Sequence, residues 1–265
     1  MSTKQSEVTL LVDAGNTRIK WVWVNAEAKV TPVRIEQQQA EVYAQDESPQ
    51  QGVTRILSRL LMAHEPMQVT LVHVLGEELT TALHALFAKL CCKLLLVDTQ
   101  KNPYGIKSAY TNPGHLGADR LIALLAGRFI AQERPVIVID CGTAVTVDAI
   151  LPDGRHPGGL ILPGLDLLSD SLIRNTQARQ MTLSEFNQPV IFARDTAKGI
   201  GSGCLFALVG AIEGICRRMC NELPAEPVKI ICGGDATRVH TQLEGDYRLE
   251  PALVMTGLYL VAEQN

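Results

Sequence analysis

Two stretches of the chain share one pattern of hydrophobic and polar positions. In each, an apolar run ends in an aspartate, a variable residue and a glycine, and a second apolar run follows. The stretches read VTLLVDAGNTRIKWVWV at 8–24 and VIVIDCGTAVTVDAI at 136–150. An apolar run that is interrupted by a short polar segment with glycine predicts two strands joined by a tight turn. We therefore expect two β-hairpins, one opening each half of the chain.

The two turns carry candidate chemistry. Asp13 and Asp140 each close a buried strand, and Gly15 and Gly142 follow within two residues. A carboxylate in this position can hold a metal ion, and a glycine turn lets the backbone approach a phosphate closely. For one copy alone, an ordinary hairpin with a polar tip is an equally good interpretation. The second copy favours a paired ligand site.

The remaining periodicity predicts the same order of elements, βββαβαβ, in both halves. In the first half the predicted strands are 8–13, 17–24, 30–35, 68–74 and 93–97, and the helices are 53–64 and 77–90. In the second half the predicted strands are 136–140, 144–151, 158–162, 228–232 and 247–249, and the helices are 165–179, 197–222, 236–243 and 252–262. A further helix is expected at 121–132, and the polar segment 36–51 is expected to be a surface connection.

Composition narrows the class of protein. Of the 265 residues 46% are hydrophobic and 20% are charged, which predicts a substantial core. The net charge of −4 argues against a nucleic-acid partner held by bulk charge. No apolar run approaches the roughly 20 residues of a membrane span, so we expect no membrane partner. Seven cysteines, an odd number at irregular spacing, suit reduced thiols and a cytoplasmic location.

The segment 102–120 between the halves is rich in proline, glycine and asparagine. It can be an interdomain linker, and Asp119 can be a simple N-cap of the helix that follows. It also carries Tyr110, His115 and Arg120, and a domain junction is a common place for a substrate cleft. Both interpretations of Asp119 remain open on these grounds.

Taken together, these motifs resemble the type III pantothenate kinases, which phosphorylate pantothenate in the first step of coenzyme A synthesis. The resemblance covers nearly the whole chain. Its markers are DAGNT at 13–17, Tyr110 with Asn112-Pro113, GADR at 117–120, DCGTAVTVD at 140–148, Gly158-Gly159 with Pro163-Gly164, and Asp195-Thr196. The first motif occurs in many actin-like ATPases, whereas GADR in this context is specific.

The resemblance implies an α/β fold of the actin-like ATPase type. In that fold two ribonuclease H-like domains, each βββαβαβ, enclose an ATP cleft. The implied division of this chain is an N-terminal domain at 1–118 and a C-terminal domain at 119–265. A homodimer is also implied, with 158–164 as its interface segment.

The resemblance further implies a role for each matching position. Asp119 corresponds to the general base and Asp140 to the ligand of a monovalent cation, potassium or ammonium. ATP, used with Mg²⁺, is expected to contact Asp13, Ala14, Gly15, Asn16, Thr17, Arg18, Ile19, Lys20 and Thr143. Pantothenate is expected to contact Tyr110, Gly117, Ala118, Asp119, Arg120 and Thr196, the last in association with the dimer.

Two alternatives compete with this interpretation. One is a regulatory accessory protein of the same family, and the other is a different actin-like small-molecule kinase. The chain has no recognisable helix-turn-helix and no basic face, and Asp13, Asp119, Arg120 and Asp140 are all present, which favours the enzyme. Trp21 and Trp23 stand where many members of the family have a glycine, so they either change the ATP pocket or pack in the core.

Overall fold

The computed structural model describes residues 8–25, 35, 38–100, 104–175 and 189–264. The strands are β1 Val8–Ala14, β2 Arg18–Asn25, β3 Gln39–Val42, β4 Gln68–His73, β5 Lys93–Leu96, β6 Lys107–Ser108, β7 Val136–Cys141, β8 Ala144–Ile150, β9 Arg155–His156, β10 Gly158–Pro163, β11 Val228–Cys232 and β12 Arg248–Leu249. The helices are α1 Pro49–Ala63, α2 Glu77–Phe87, α3 Ala118–Ala131, α4 Leu165–Asn175, α5 Thr196–Glu222, α6 Ala236–His240 and α7 Leu253–Glu263.

Two five-stranded sheets have the same topology. Their strand orders are β3-β2-β1-β4-β5 and β10-β8-β7-β11-β12. In each sheet the first three strands in sequence are antiparallel neighbours, and the last two are added in parallel. This repetition is the one expected from the two hairpin motifs, and it puts Asp13 and Asp140 at equivalent ends of β1 and β7.

The third strand of the first sheet differs from the prediction. The predicted strand at 30–35 lies almost wholly outside the described residues, and β3 is instead Gln39–Val42, within the segment expected to be a surface connection. β3 is a short edge strand with mostly exposed side chains. Its sequence carries no apolar alternation because neither of its faces is fully covered.

The chain divides into two compact units, which differ in detail from the implied domains. One unit comprises 1–106, 110–126 and 252–265, and the other comprises 107–109 and 127–251. The C-terminal helix α7 belongs to the first unit because it packs on β1 and β4. Gly257 allows this helix a close approach, since a side chain there would overlap Ile122 of α3. The implied boundary at residue 118 does separate the strands of the first sheet from those of the second. It assigns α7 to the second domain, however, whereas this helix packs on the first sheet.

The two tryptophans of β2 pack in the core of the first unit. Trp21 is 5% exposed and lies among the buried residues of this core, and Trp23 packs against it. Side chains alternate along a strand, so Lys20, directly before Trp21, lies on the opposite face, where Asp13 is its cross-strand partner. Of the two roles open for these aromatics, core packing is the one that the structure supports.

Helix α5 provides much of the core of the second unit. By length and composition it is the one helix among the described residues that could cross a membrane. Its residues Leu205, Leu208, Ile212 and Cys216 are nevertheless buried against β7 and β8 in this core. A buried core helix passes the same compositional test, so α5 is no evidence for a membrane segment.

Candidate active site

The first hairpin presents a carboxylate beside an ammonium group. Asp13 and Lys20 are directly opposite each other on β1 and β2, and Lys20 Nζ lies 3.7 Å from Asp13 Oδ2. The Asp13 side chain is only 13% exposed. Burial raises the pKa of Asp13, and Lys20 only partly opposes this effect. Between the strands, the turn Gly15-Asn16-Thr17 is largely exposed.

Asp119 lies in the first turn of α3, in the same compact unit as Asp13. Its Oδ1 accepts a hydrogen bond of 2.7 Å from the backbone N–H of Arg120. A Cβ at Gly117 would lie only 2.6 Å from this oxygen, so the glycine leaves space for the carboxylate. The local sequence Gly-x-Asp-Arg thus sets the orientation of the Asp119 side chain.

Asp119 is the second residue of α3 and therefore does not cap the helix, and its surroundings shift its pKa. Burial raises its pKa most, and the charge of Asp13 raises it further. The backbone N–H and the guanidinium of Arg120 lower it, but the net direction is upward. Two carboxylates that repel each other in a partly buried site attract a cation or a proton. This pair therefore fits a divalent cation or a proton-transfer role.

Arg120 adds a positive group next to Asp119. Its side chain is buried, and Nη1 donates a hydrogen bond of 3.0 Å to the hydroxyl of Tyr110. The guanidinium carbon also lies 5.5 Å from the centre of the Tyr110 ring. A guanidinium that is fixed in this way is pre-organised to bind a carboxylate through two parallel hydrogen bonds.

The segment that leads to Tyr110 is anchored by residues that sequence reasoning missed. β6 pairs with β9, with Lys107 N–H donating to Gly154 O at 2.7 Å and Ala109 N–H donating to His156 O at 2.9 Å. Ser108 Oγ lies 3.0 Å from Nδ1 of the fully buried His156, whose Nε2 lies 3.0 Å from Asp148 Oδ1.

This anchor had no signal in the sequence. Ser108 and His156 are 48 residues apart, so no local spacing links them. Asp148 belongs to the second hairpin motif, and the structure shows that its buried carboxylate contacts His156. The segment is therefore held in place directly before Tyr110.

The second hairpin forms the equivalent structure in the other unit. Asp140 is the second-last residue of β7, and Thr143 is exposed in the turn after the strand, where Thr143 O accepts from the N–H of Gly164 at 3.0 Å. Gly233, at φ +100°, packs so closely against Asp140 and Cys141 that a side chain would overlap both.

The donor set around Asp140 is small. Within the ranges that the structure describes, no three or more His, Cys, Asp and Glu side chains are grouped to hold a metal ion. The charges of Asp140 and Asp235 both act on Cys141, and carboxylates with a neighbouring carbonyl oxygen but no third ligand in the described part of the chain suit a cation of low charge better than a tightly held divalent metal.

The structure brings some predicted site residues together. In the first unit, Asp13, Lys20, Asp119, Arg120 and Tyr110 form the two clusters described above, with Gly117 and Ala118 at the start of α3. In the second unit, Asp140 and Thr143 share one hairpin. Thr196 is elsewhere in that unit, exposed at the first position of α5 after its N-cap Asp195.

Sequence reasoning also missed Tyr43. This residue follows β3, is 9% exposed, and donates a hydrogen bond of 3.0 Å from its hydroxyl to Gly15 O in the turn of the first hairpin. No motif marked it, because its strand falls in a polar segment without periodicity.

Comparison with known proteins extends these observations. A family model described as type III pantothenate kinase matches residues 9–218. The chain is 37% identical to the type III pantothenate kinase of Janthinobacterium sp. (strain Marseille), over 97% of this chain and 98% of the relative.

Two solved structures share the fold at low sequence identity. A protein described as a Baf family transcriptional activator from Campylobacter jejuni is 17% identical with a TM-score of 0.61, over 97% of this chain and 98% of the other. The apo psk41 ParM protein is 10% identical with a TM-score of 0.54, over 97% of each chain. At these identities the likeness concerns the fold alone, and it confirms the predicted actin-like α/β architecture.

The raised pKa of Asp119 yields a prediction for stability. The folded chain holds this proton more tightly than the unfolded chain, so the free energy of unfolding falls as the pH rises from the ordinary aspartate value through the raised one. Asp119→Asn removes the charge, and we expect it to stabilise the protein at pH 7 by about 0.5–2 kcal/mol. Urea unfolding between pH 4.5 and 8 measures the effect.

The same series includes a matched control. Asp246→Asn changes an exposed aspartate and is expected to leave the free energy of unfolding unaltered. A gain for Asp119→Asn that shrinks toward pH 4.5 supports the electrostatic argument. An equal or lower stability of Asp119→Asn at every pH contradicts it.

Proposed function

The chain belongs to the type III pantothenate kinase family, and on that basis we propose that it transfers the γ-phosphoryl group of ATP to the primary hydroxyl of pantothenate. The product is 4′-phosphopantothenate, and the reaction is the first step of coenzyme A biosynthesis. The observation that carries the proposal is the adjacent pair Asp119 and Arg120 at the start of α3. This pair supplies a base and a carboxylate-binding group side by side.

Asp119 is the general base of this reaction. Its carboxylate accepts the proton of the primary hydroxyl as the oxygen attacks phosphorus, and its raised pKa makes it a stronger base than an ordinary aspartate. The hydrogen bond from Arg120 N–H holds one carboxylate oxygen and leaves the other for the substrate. Phosphoryl transfer needs little covalent help beyond such positioning.

Arg120 and Tyr110 bind the other end of pantothenate. The substrate carries a carboxylate, and the guanidinium of Arg120 matches that group bidentately. The 3.0 Å hydrogen bond to Tyr110 keeps the guanidinium in one orientation before the substrate arrives. Gly117 leaves space for the Asp119 carboxylate, and the family resemblance implies Gly117, Ala118 and Thr196 as further contacts of the substrate.

The phosphates of ATP are bound by the hairpin residues 13–20, and for Thr143 a nucleotide contact is implied by the family resemblance alone. Lys20 neutralises phosphate charge, and the exposed turn offers backbone N–H groups. Mg²⁺ fits the carboxylate of Asp13, whose negative charge Lys20 neutralises only in part and whose pKa is raised by burial. When bound, the ion neutralises charge that develops on the transferring phosphoryl group.

We place the reaction in the cytoplasm. All seven cysteines are free thiols, which agrees with a reducing compartment.

The direct test is ATP consumption with and without pantothenate, in Mg²⁺ and potassium, with the product identified by mass spectrometry. Pantothenate-dependent turnover that yields phosphopantothenate supports the proposal. A folded protein without such turnover contradicts it, and favours a regulatory accessory protein or a different actin-like kinase. ATP consumption with a panel of sugars and short-chain acids then separates these two alternatives, because only a different kinase would consume ATP with one of them.

We predict that Asp119→Asn reduces kcat by about 10²–10⁴-fold with little change in KM for pantothenate, because the amide keeps the shape and loses the base. Steady-state kinetics at saturating ATP measure the effect. Asp246→Asn is the matched control and is expected to retain full activity. Near-normal turnover by a folded Asp119→Asn variant would remove Asp119 from the catalytic role.

We propose that Asp140 is the ligand of a monovalent cation, potassium or ammonium. Its support is the half-buried carboxylate beside the Cys141 carbonyl, within the turn that also carries Thr143.

Replacing potassium with sodium at constant ionic strength is predicted to lower kcat/KM several-fold, because the smaller ion fits a site of fixed oxygen ligands less well. Asp140→Asn is predicted to abolish this difference, whereas Asp246→Asn keeps it. Equal rates of the wild type in both salts would count against the site.

We propose a homodimer that uses the edge strand β10. Leu160 is 50% exposed and Ile161 is 63% exposed on this strand, within the segment 158–164. Neighbouring residues of a strand face opposite sides, so both faces of this edge leave apolar surface uncovered. Such an edge is suited to bury itself against a second copy.

Ile161→Glu is predicted to convert the dimer to a monomer, since it puts a charge on the apolar surface. The molar mass measured by light scattering after size exclusion tests this. Met62→Glu is the control, because Met62 is 88% exposed on α1 in the other unit. A wild type that is monomeric at micromolar concentration, or an Ile161→Glu variant that remains dimeric, contradicts the proposal.

A further inference from the structure

Tyr43, which lies outside the first hairpin, forms hydrogen bonds with the turn of that hairpin at two points. Tyr43 donates from its hydroxyl to Gly15 O at 3.0 Å and from its backbone N–H to Thr17 O at 3.3 Å. These two carbonyl groups flank Asn16 on either side. Within the hairpin, the N–H of Gly15 donates to Arg18 O at 3.1 Å. We propose that Tyr43 is a positioning residue, a clamp that fixes the backbone of residues 15–17 for the phosphates of ATP.

Peptide geometry explains why this clamp matters for phosphate binding. In a planar trans peptide the C=O and the N–H point in opposite directions. The hydrogen bond from the Tyr43 hydroxyl fixes the carbonyl of Gly15 toward the ring, so the N–H of Asn16 is directed away from it. Asn16 itself is exposed. The clamp thus keeps the N–H of Asn16 directed toward solvent, where a phosphate oxygen can accept a hydrogen bond from it.

The protonation state of Tyr43 suits this role. Burial raises the pKa of the Tyr43 hydroxyl, and the charges of Asp13 and Glu47 raise it further. The hydroxyl therefore stays protonated and remains a donor over the whole working pH range. The influence of Asp13 also indicates that the clamp lies close to the carboxylate of the hairpin.

The clamp is itself supported by the residues that follow it. Glu47 accepts a hydrogen bond of 2.8 Å from Ala44 N–H and forms an ion pair of 2.6 Å with Arg55 of α1. This pairing with Arg55 lowers the pKa of Glu47 to about 2, so the carboxylate is charged at neutral pH. The chain after Tyr43 is thus tied to α1.

Gly52 of α1 provides the space for the ring. A side chain at Gly52 would overlap the ring of Tyr43, so the helix can approach only without one. The ring also belongs to the core of its unit and is 9% exposed. Packing therefore restricts the directions in which the hydroxyl can point.

The inference rests on the proposed function only in assigning the turn to ATP. Tyr43→Phe keeps the packing of the ring and removes the hydroxyl alone. We expect KM for ATP to rise roughly three- to tenfold, the effect of one lost neutral hydrogen bond. KM for pantothenate is expected to stay within about twofold, because the two hydrogen bonds of Tyr43 to the turn at 15–17 involve none of the residues proposed to bind pantothenate.

A matched control separates the clamp from a general loss of a buried hydroxyl. Tyr259→Phe removes the hydroxyl of another buried tyrosine in the same unit, on α7, and is expected to change neither KM. An unchanged KM for ATP in Tyr43→Phe, or an equal rise in both KM values, overturns the proposal.

A second readout does not depend on turnover. Hydrogen exchange is expected to be about three- to tenfold faster at the Gly15 N–H, which donates to Arg18 O within the turn, in Tyr43→Phe than in the wild type or in Tyr259→Phe. Equal exchange in all three proteins overturns the clamp. If the wild type exchanges as expected but does not phosphorylate pantothenate, the proposed function fails while the clamp stands.

Discussion

The repulsion between Asp13 and Asp119 is the constraint on which the candidate site depends. Burial raises the pKa of both carboxyl groups, and the charge of Asp13 raises the pKa of Asp119 further. Lys20 and Arg120 compensate only part of the charge. Such a pair of carboxylates lowers the stability of the folded chain, but it is suited to bind a cation and to accept a proton. The negative charge around the pair makes one carboxylate a stronger base and the other a better ligand for a cation.

The duplicated sheet explains how the fold presents these groups. A hairpin that opens each sheet puts an aspartate at the end of a buried strand and a glycine turn beside it, in both units. Rigid strands fix the positions of Asp13 and Asp140 more precisely than a long loop would. Asp119 and Arg120 come from a helix start instead, and Gly117 supplies the space that lets the Asp119 carboxylate fold back onto the backbone.

The sequence sufficed for the parts that rest on local pattern. The apolar runs around Asp13 and Asp140 predicted both hairpins, and periodicity predicted the order of helices and strands. β3 escaped prediction because an exposed edge strand has no apolar face. Ser108 and His156 escaped because their contact spans 48 residues of chain. Tyr43 escaped for both reasons, since it follows β3 and contacts Gly15, 28 residues before it.

Those missed residues share one physical role. The turn at 15–17 and the residue Tyr110 are both exposed or half-buried, so hydrophobic packing alone does not fix them. Tyr43, which packs in the core, forms a hydrogen bond with the turn at 15–17. The buried pair of His156 and Asp148 contacts Ser108 in the segment that precedes Tyr110. A buried polar group can fix an exposed segment because its hydrogen bond is costly to leave unmade away from water. The recognisable motifs supply the reacting groups, whereas residues without a motif determine where those groups point.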